Sequence, residues 1–259
     1  LTNITIRDGS SGASDGGAVF VANGGGLNVV GSRFYSNTTT PSQGGGAITA
    51  YGALNISGSE FAYNRAGGGG ALNTVFGGAA TVIQNSTFHH NQTPNGDGGA
   101  IYMRDAAPMT LTNVSLLTNT AQNRGGGIYV GGSSSLIVIS SVIQANTTGG
   151  DGGGIYSNHT LTVLSSTLAY NHADQKGGGL VANGSAILTG TRLTGNTGYA
   201  GGGALYTENG TTTFEHSTLD QNSATDYTSN TWSPQPGGAI MAYTATNLLV
   251  NSSLLQYNG

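Results

Sequence analysis

The chain contains no cysteine and few charged side chains. Asp, Glu, Lys and Arg make up 7% of its 259 residues, whereas roughly a quarter is usual for a soluble domain. Without Cys there are no disulfides, which is equally compatible with the cytosol and with bacterial surfaces. The charges are scattered singly and sum to −4, so no basic patch could hold a phosphate backbone, and we expect no nucleic-acid partner.

Long hydrophobic runs are also missing. The richest run extends from Leu136 to Ala145 and stops short of the roughly 18 apolar residues that a membrane helix needs. We therefore expect no membrane insertion by this segment. The sequence begins at Leu1 without a Met and shows no signal peptide, which favours a processed or excised segment.

What the chain does contain is 46 glycines and a repeat in which two landmarks recur nine times. The first landmark is an aliphatic residue after a glycine turn, at Val19, Ile48, Leu72, Ile101, Ile128, Ile155, Leu180, Leu205 and Ile240. The second is an asparagine, at Asn37, Asn64, Asn91, Asn119, Asn146, Asn171, Asn196, Asn222 and Asn258. Both landmarks keep a period of about 26 residues, typical of stacked repeats.

Apolar residues hold fixed distances from each asparagine. Three residues before it lie Phe34, Phe61, Phe88, Leu116, Ile143, Leu168, Leu193, Leu219 and Leu255. Eight residues before it lie Val29, Ile56, Ile83, Leu111, Val138, Val163, Leu188, Phe214 and Val250. The position ten before it is mostly apolar as well, and this two-residue step indicates strand alternation. No helical period is sustained, so residues 1–259 are predicted to form one all-β domain, a parallel β-helix (β-solenoid) of about ten coils. The general preference for right-handed parallel crossovers predicts a right-handed helix.

Stacked coils would align the nine asparagines in a ladder, because each side-chain amide can donate to one neighbour and accept from the other. Asparagine also tolerates the left-handed backbone of a sharp corner. Glycines would form another corner, where stacked backbones come too close for a Cβ atom.

Two motifs carry a family resemblance. Gly-Gly-Ala-aliphatic occurs six times, for example at Gly45–Ile48, and Phe-x-x-Asn occurs at Phe34–Asn37, Phe61–Asn64 and Phe88–Asn91. Together they resemble the repeat of polymorphic outer-membrane proteins and of similar bacterial surface proteins. The resemblance implies a right-handed parallel β-helix, an extracellular or cell-surface location and an adhesive or structural role. From Leu116 onward Leu or Ile replaces the Phe, three turns read Gly-Gly-Gly, and no membrane-barrel domain is included.

Enzymatic β-helices that act on polysaccharides need clustered carboxylates. Asp15, Asp97 and Asp151 each precede a glycine turn. Coils without an acidic residue at this position, such as those with Gly68 and Arg124, lie between them. We therefore expect no enzymatic activity, no catalytic or metal-binding residues and no cofactor. The alternative is a carbohydrate-active or carbohydrate-binding β-helix of the polysaccharide lyase or hydrolase type.

Candidate surface-interaction residues come from two places. Tyr102, Tyr129 and Tyr156 follow the aliphatic landmark in three successive coils and should stack into an exposed ladder, which could bind sugar rings or only stabilise the sheet. A projecting loop is predicted at 223–236, with Tyr227 and the single tryptophan, Trp232, as contact residues.

Solenoids normally carry caps, and neither end of this sequence resembles one. The chain is interpreted either as a segment of a longer β-helix or as a subunit that stacks head to tail into a filament. The sequence thus predicts a non-enzymatic, extracellular structural or adhesive β-helix whose partners are other copies of itself or a surface glycan or protein.

Overall fold

The structure is a computed structural model that describes residues 1–75, 80–105, 108–224 and 238–258, without the side chains of 244–246. The described residues form parallel strands that wind into coils, and equivalent strands of successive coils stack into four ladders. Among the described residues no helix is long and apolar enough to cross a membrane.

Ladder 1 contains the strands that follow the glycine turns. They are Val19–Val21, Ile48–Ala50, Leu72–Val75, Ile101–Arg104, Ile128–Val130, Ile155–Ser157, Leu180–Ala182 and the first parts of Leu205–Glu215 and Ile240–Asn251. Ladder 2 contains Gly26–Val30, Ala53–Ser57, Thr81–Gln84, Met109–Thr112, Leu136–Ile139, Leu161–Leu164, Ala186–Thr189 and the second parts of the same two long strands. The long strands join the two ladders into one sheet.

Ladder 3 ends next to the landmark asparagines. Its strands are Thr5–Arg7, Arg33–Tyr35, Glu60–Ala62, Thr87–His89, Ser115–Leu117, Val142–Gln144, Thr167–Ala169, Arg192–Thr194, Thr218–Asp220 and Leu254–Gln256. Ladder 4 leads back to the next glycine turn. Its strands are Gln92–Thr93, Thr120–Ala121, Thr147–Thr148, His172–Ala173, Thr197–Gly198 and Ser223–Ala224.

The apolar columns predicted from the sequence fill the interior. Phe34, Phe61 and Phe88 are fully buried and stack face to face, with ring centroids 4.7 and 4.6 Å apart. The columns three and eight residues before each asparagine both belong to one continuous core. The exception is the last described rung, where Leu248, Val250 and Leu255 are 36%, 41% and 46% exposed.

The all-β parallel solenoid is confirmed, but the estimate of about ten coils is too high. Among the described residues, ladder 1 has nine strands from Val19 to Ile240, which correspond to eight full turns. The estimate counted the nine repeats and added one incomplete coil before Val19.

The predicted loop at 223–236 does not begin at Ser223. Ser223 and Ala224 pair in parallel with Thr197 and Gly198, so they belong to ladder 4 and not to a loop. Asn222 stacks on Asn196 of the coil below, and this contact places the two residues that follow Asn222 next to Thr197 and Gly198. Tyr227 and Trp232 lie outside the described residues.

Candidate functional site

The tyrosine column lies on the outward face of ladder 1. Tyr102, Tyr129 and Tyr156 are in register in successive strands, with ring centroids 5.0 and 5.4 Å apart. Val181 and Tyr206 continue the column. The prediction that this ladder is exposed was wrong, because Tyr129 is only 6% exposed and Tyr156 only 7%.

The residues immediately before the glycine turns cover these rings. Backbone hydrogen bonds align this position from coil to coil, and Asp97, Arg124, Asp151 and Lys176 occupy it in four successive coils. We call this set the charged column. Alternation along a strand identified the outward side of the tyrosines correctly, but it could not show that the preceding turn folds back over that side.

Arg124 ties the charged column to the tyrosine column. Its Nε donates to Asp97 Oδ1 at 3.0 Å and its Nη2 donates to Asp97 Oδ2 at 2.9 Å. Its guanidinium carbon lies 4.7 Å from the ring centroid of Tyr129 and 5.2 Å from that of Tyr156. The sequence interpretation treated Arg124 only as an interruption between acidic residues. The alternation of charge sign from coil to coil was the signal that could have revealed this pair.

Lys176 repeats part of this arrangement two coils further on. Its Nζ lies 4.6 Å from the ring centroid of Tyr206, and its backbone N–H donates to Asp151 Oδ1 at 3.0 Å. Burial raises the pKa of the Asp151 carboxyl, an effect that the bond from Lys176 opposes. The charged column is therefore bound into the surface by cation–π contacts and hydrogen bonds.

Replacing Arg124 with alanine should lower the free energy of unfolding by about 2–3 kcal/mol, because the Asp97 side chain, 13% exposed, would lose both charge-assisted bonds. Denaturant titration measures the change. Arg33→Ala is the matched control, because its ion pair with Glu60 is largely in solvent and should contribute about 0–1 kcal/mol. Equal losses in the two variants would contradict the structural role of Arg124.

Stability should also fall at alkaline pH. Burial raises the pKa of Tyr129 from 10.0 to about 12, and burial likewise raises that of Tyr102. Because the folded chain favours the neutral phenol, this stabilisation is complete below pH 10.0 and is lost as the pH rises through about 12. Denaturant titrations at increasing pH, with tyrosinate absorbance as the second signal, measure it. Tyr129→Phe should weaken the pH dependence of the free energy of unfolding. An unchanged dependence would contradict the contribution of the buried Tyr129 phenol.

The landmark asparagines form a continuous ladder inside the coil. From Asn37 to Asn222 the side chains are fully buried, and each Nδ2 donates to Oδ1 of the next asparagine at 2.9–3.1 Å. That same Oδ1 also accepts a bond from a backbone N–H one coil away. Asn37, Asn91 and Asn146, which lie in Asn-x-Ser/Thr sequences, are therefore committed to the interior.

Sequence reasoning missed a second polar ladder. Five residues before the landmark asparagine, a serine Oγ accepts the backbone N–H of the equivalent residue in the preceding coil, as Ser59 does for Ser32 at 3.1 Å and Ser166 does for Ser141 at 3.0 Å. The recurrence of Ser or Thr at this spacing was visible in the sequence.

A histidine pair lies on the outward side of ladder 3. His89 Nδ1 and His90 Nδ1 are 3.0 Å apart, and His89 Nε2 is 3.0 Å from Glu60 Oε1. Glu60 belongs to the coil below, where it pairs with Thr87, and its carboxylate reaches His89 diagonally. Within the described residues, no group of three or more His, Cys, Asp or Glu side chains is placed to hold a metal ion.

A cleft of about 390 Å³ opens at the end of the tyrosine column, beside Tyr102. We call it the notch. At the position that the charged column occupies in later coils, two successive coils here carry Gly44 and Gly68. The turn from Asn64 to Gly69 spans five residues, whereas those from Asn37 to Gly45 and from Asn91 to Gly98 span eight and seven. The notch is thus the gap left by one short turn between two longer ones.

A protein-family model described as a right-handed β-helix region matches residues 72–255, more than half of the chain. The chain belongs to this family. No curated protein and no solved structure matches it.

Membership in the right-handed β-helix family confirms the predicted handedness. The matched part of the β-helix includes the tyrosine column, the charged column and most of the asparagine ladder. The strands Val19–Val21 and Ile48–Ala50 precede the match, yet they pair in parallel with each other and with Leu72–Val75. The same repeat therefore extends beyond the matched residues toward the start of the chain.

Proposed function

We propose that this right-handed β-helix is a non-enzymatic structural and adhesive protein of a bacterial cell surface. The observation that carries the proposal is that the charged side chains beside the glycine turns form contacts between coils. Arg124 bonds Asp97 and packs on Tyr129, while Asp151 and Lys176 continue the same column. Side chains held in this way stabilise a rod and present no nucleophile with an adjacent base.

The extracellular location rests on the resemblance to the repeats of polymorphic outer-membrane proteins. Both motifs behind it have structural roles here: the phenylalanines of Phe-x-x-Asn stack in the core, and its asparagines form the buried ladder. In the Gly-Gly-Ala turn at Gly45–Ile48, Gly45 has a φ of 62°. A surface role fits a rod whose side chains are mostly neutral and polar.

The proposal includes contact between copies, head to tail. Leu248, Val250 and Leu255 belong to core columns but are partly exposed in the last described rung. A second copy that stacks a β-rung on this surface would bury them. Electron microscopy of the purified chain should show rods longer than a single copy. Short rods of uniform length at every concentration would contradict this part of the proposal.

The test of the non-enzymatic role incubates the chain with polygalacturonate, alginate and hyaluronan and measures new reducing ends and unsaturated products. We expect neither. Turnover that disappears in an Asp97→Asn variant would contradict the proposal and favour the alternative, a carbohydrate-active β-helix. The adhesive role is tested by the retention of protein-coated beads on epithelial cells, with albumin-coated beads as control. Equal retention of the two would contradict it.

A further inference from the structure

We infer that the notch binds a neutral saccharide of one or two sugar units. The inference deepens the adhesive role proposed above. It rests on that role, because a cell-surface protein is exposed to saccharides. The notch interrupts the wall that the charged column forms elsewhere, and it lies where Gly44 and Gly68 replace the charged residues of that column in two successive coils.

The shape of the notch follows from the lengths of three turns. The short turn after Asn64 forms the floor at Gly67 and Gly68, and the longer turns on either side form the walls at Pro41–Gly44 and Asn95–Asp97. Its volume of about 390 Å³ lies at the small end of ligand pockets, roughly 300–1,000 Å³. One or two sugar rings suit this size better than a long polymer segment.

The lining combines aromatic rings with hydrogen-bonding groups. Tyr51 and Tyr102 supply ring faces and edges, on which the C–H surface of a sugar can pack. Amide and hydroxyl groups that both donate and accept come from Gln43, Ser42, Asn73, Asn95 and Asn123. Groups of this kind pair with sugar hydroxyls, which also donate and accept.

The charges around the notch are already balanced. Asp97 is bonded to Arg124 through both carboxylate oxygens, and Asp15 Oδ1 accepts the Gly44 N–H at 2.7 Å. Arg104 adds a positive charge to the same lining, opposite in sign to that of Asp15. Because no excess of one sign faces the cleft, the ligand is neutral and not an acidic polysaccharide.

Asn73 provides an independent observation. Its side chain lines the notch and is 5% exposed, and its Oδ1 has no hydrogen-bond partner among the described residues. A buried acceptor without a partner costs about 1–3 kcal/mol. A sugar hydroxyl bound next to Asn73 would supply the missing donor.

The test uses saturation-transfer NMR with glucose, galactose, mannose, N-acetylglucosamine, cellobiose and lactose at millimolar concentrations. At least one should bind, and Gly68→Asp should weaken that binding by about tenfold or more by filling the floor. A Cβ at Gly68 meets Tyr102 Cδ1 at 3.1 Å, so the ring needs to move only slightly. Gly26→Asp is the matched control, because a Cβ there meets nothing within 4 Å.

Tyr102→Ala is the second variant and should also weaken binding, whereas Tyr35→Ala, at an exposed tyrosine of ladder 3, should not. Thermal unfolding verifies that the variants are folded. Failure of every sugar to bind, or equal binding by the Gly68→Asp and Gly26→Asp variants, would overturn the inference and leave the non-enzymatic role intact. Cleavage of cellobiose or lactose in the same spectra would contradict that role and leave the notch as a binding site.

Discussion

An Asn146→Ala variant is expected to lose about 3–5 kcal/mol of unfolding free energy, one of the two largest effects of a single substitution in this chain. Asn146 Nδ2 donates to Asn171 Oδ1 at 3.0 Å and to the Leu116 carbonyl at 3.0 Å. Its Oδ1 accepts from both Nδ2 and the backbone N–H of Asn119, each at 2.9 Å. Alanine removes all four bonds and leaves the partner groups unpaired in an interior that water does not reach.

The control for Asn146 is another asparagine that bonds across coils. Asn55 Nδ2 donates to Asn28 Oδ1 at 3.0 Å, but this pair is exposed on ladder 2, where water can replace the bond. Asn55→Ala should therefore change the free energy of unfolding by less than about 1 kcal/mol. Denaturant titration of both variants provides the comparison, and similar losses would show that burial of the ladder contributes little.

A Gly126→Ala variant should lose about 3 kcal/mol or more of unfolding free energy. A Cβ atom at Gly126 would lie 2.6 Å from the Thr147 carbonyl oxygen and would also collide with the carbonyl oxygen of Gly153. Both atoms are backbone of the next coil, which cannot move away without breaking hydrogen bonds such as Gly126 N to Gly152 O at 3.0 Å.

Gly26→Ala is the matched control for Gly126. It places the same methyl group in a strand where nothing lies within 4 Å. We expect a change within about 0.5 kcal/mol. Thermal and denaturant unfolding measure both variants. Normal stability of the Gly126 variant would mean that the coils are not packed backbone to backbone at this corner.

The interior could be predicted from the sequence because it depends on two regular features, the alternation of residues along a strand and the constant spacing of equivalent residues in successive coils. Strand alternation identified Phe61 and Ile56 as core residues, and the constant spacing of Asn146 and Asn171 identified the ladder. Both features depend only on a repeat whose equivalent residues stack in register. The serine ladder obeys the same rule at another fixed spacing, although the sequence interpretation did not use it.

The outer layer could not be predicted because it depends on how each turn folds over the strand that follows. Tyr129 points outward as expected, yet Arg124 and the turn glycines cover it. The notch arises from a difference in turn length at Asn64–Gly69, which the sequence displays. Only the positions of the neighbouring turns show that the shortening opens a cleft.

The recurring asparagines stabilise the stacked coils through a buried ladder of side-chain hydrogen bonds. Hydrogen exchange of asparagine side-chain amides, followed by NMR, tests this role most directly. The eight fully buried ladder side chains should exchange only through global unfolding, whereas the exposed Asn55 and Asn123 should exchange rapidly. Exchange of the ladder amides within about tenfold of the exposed ones would contradict the account.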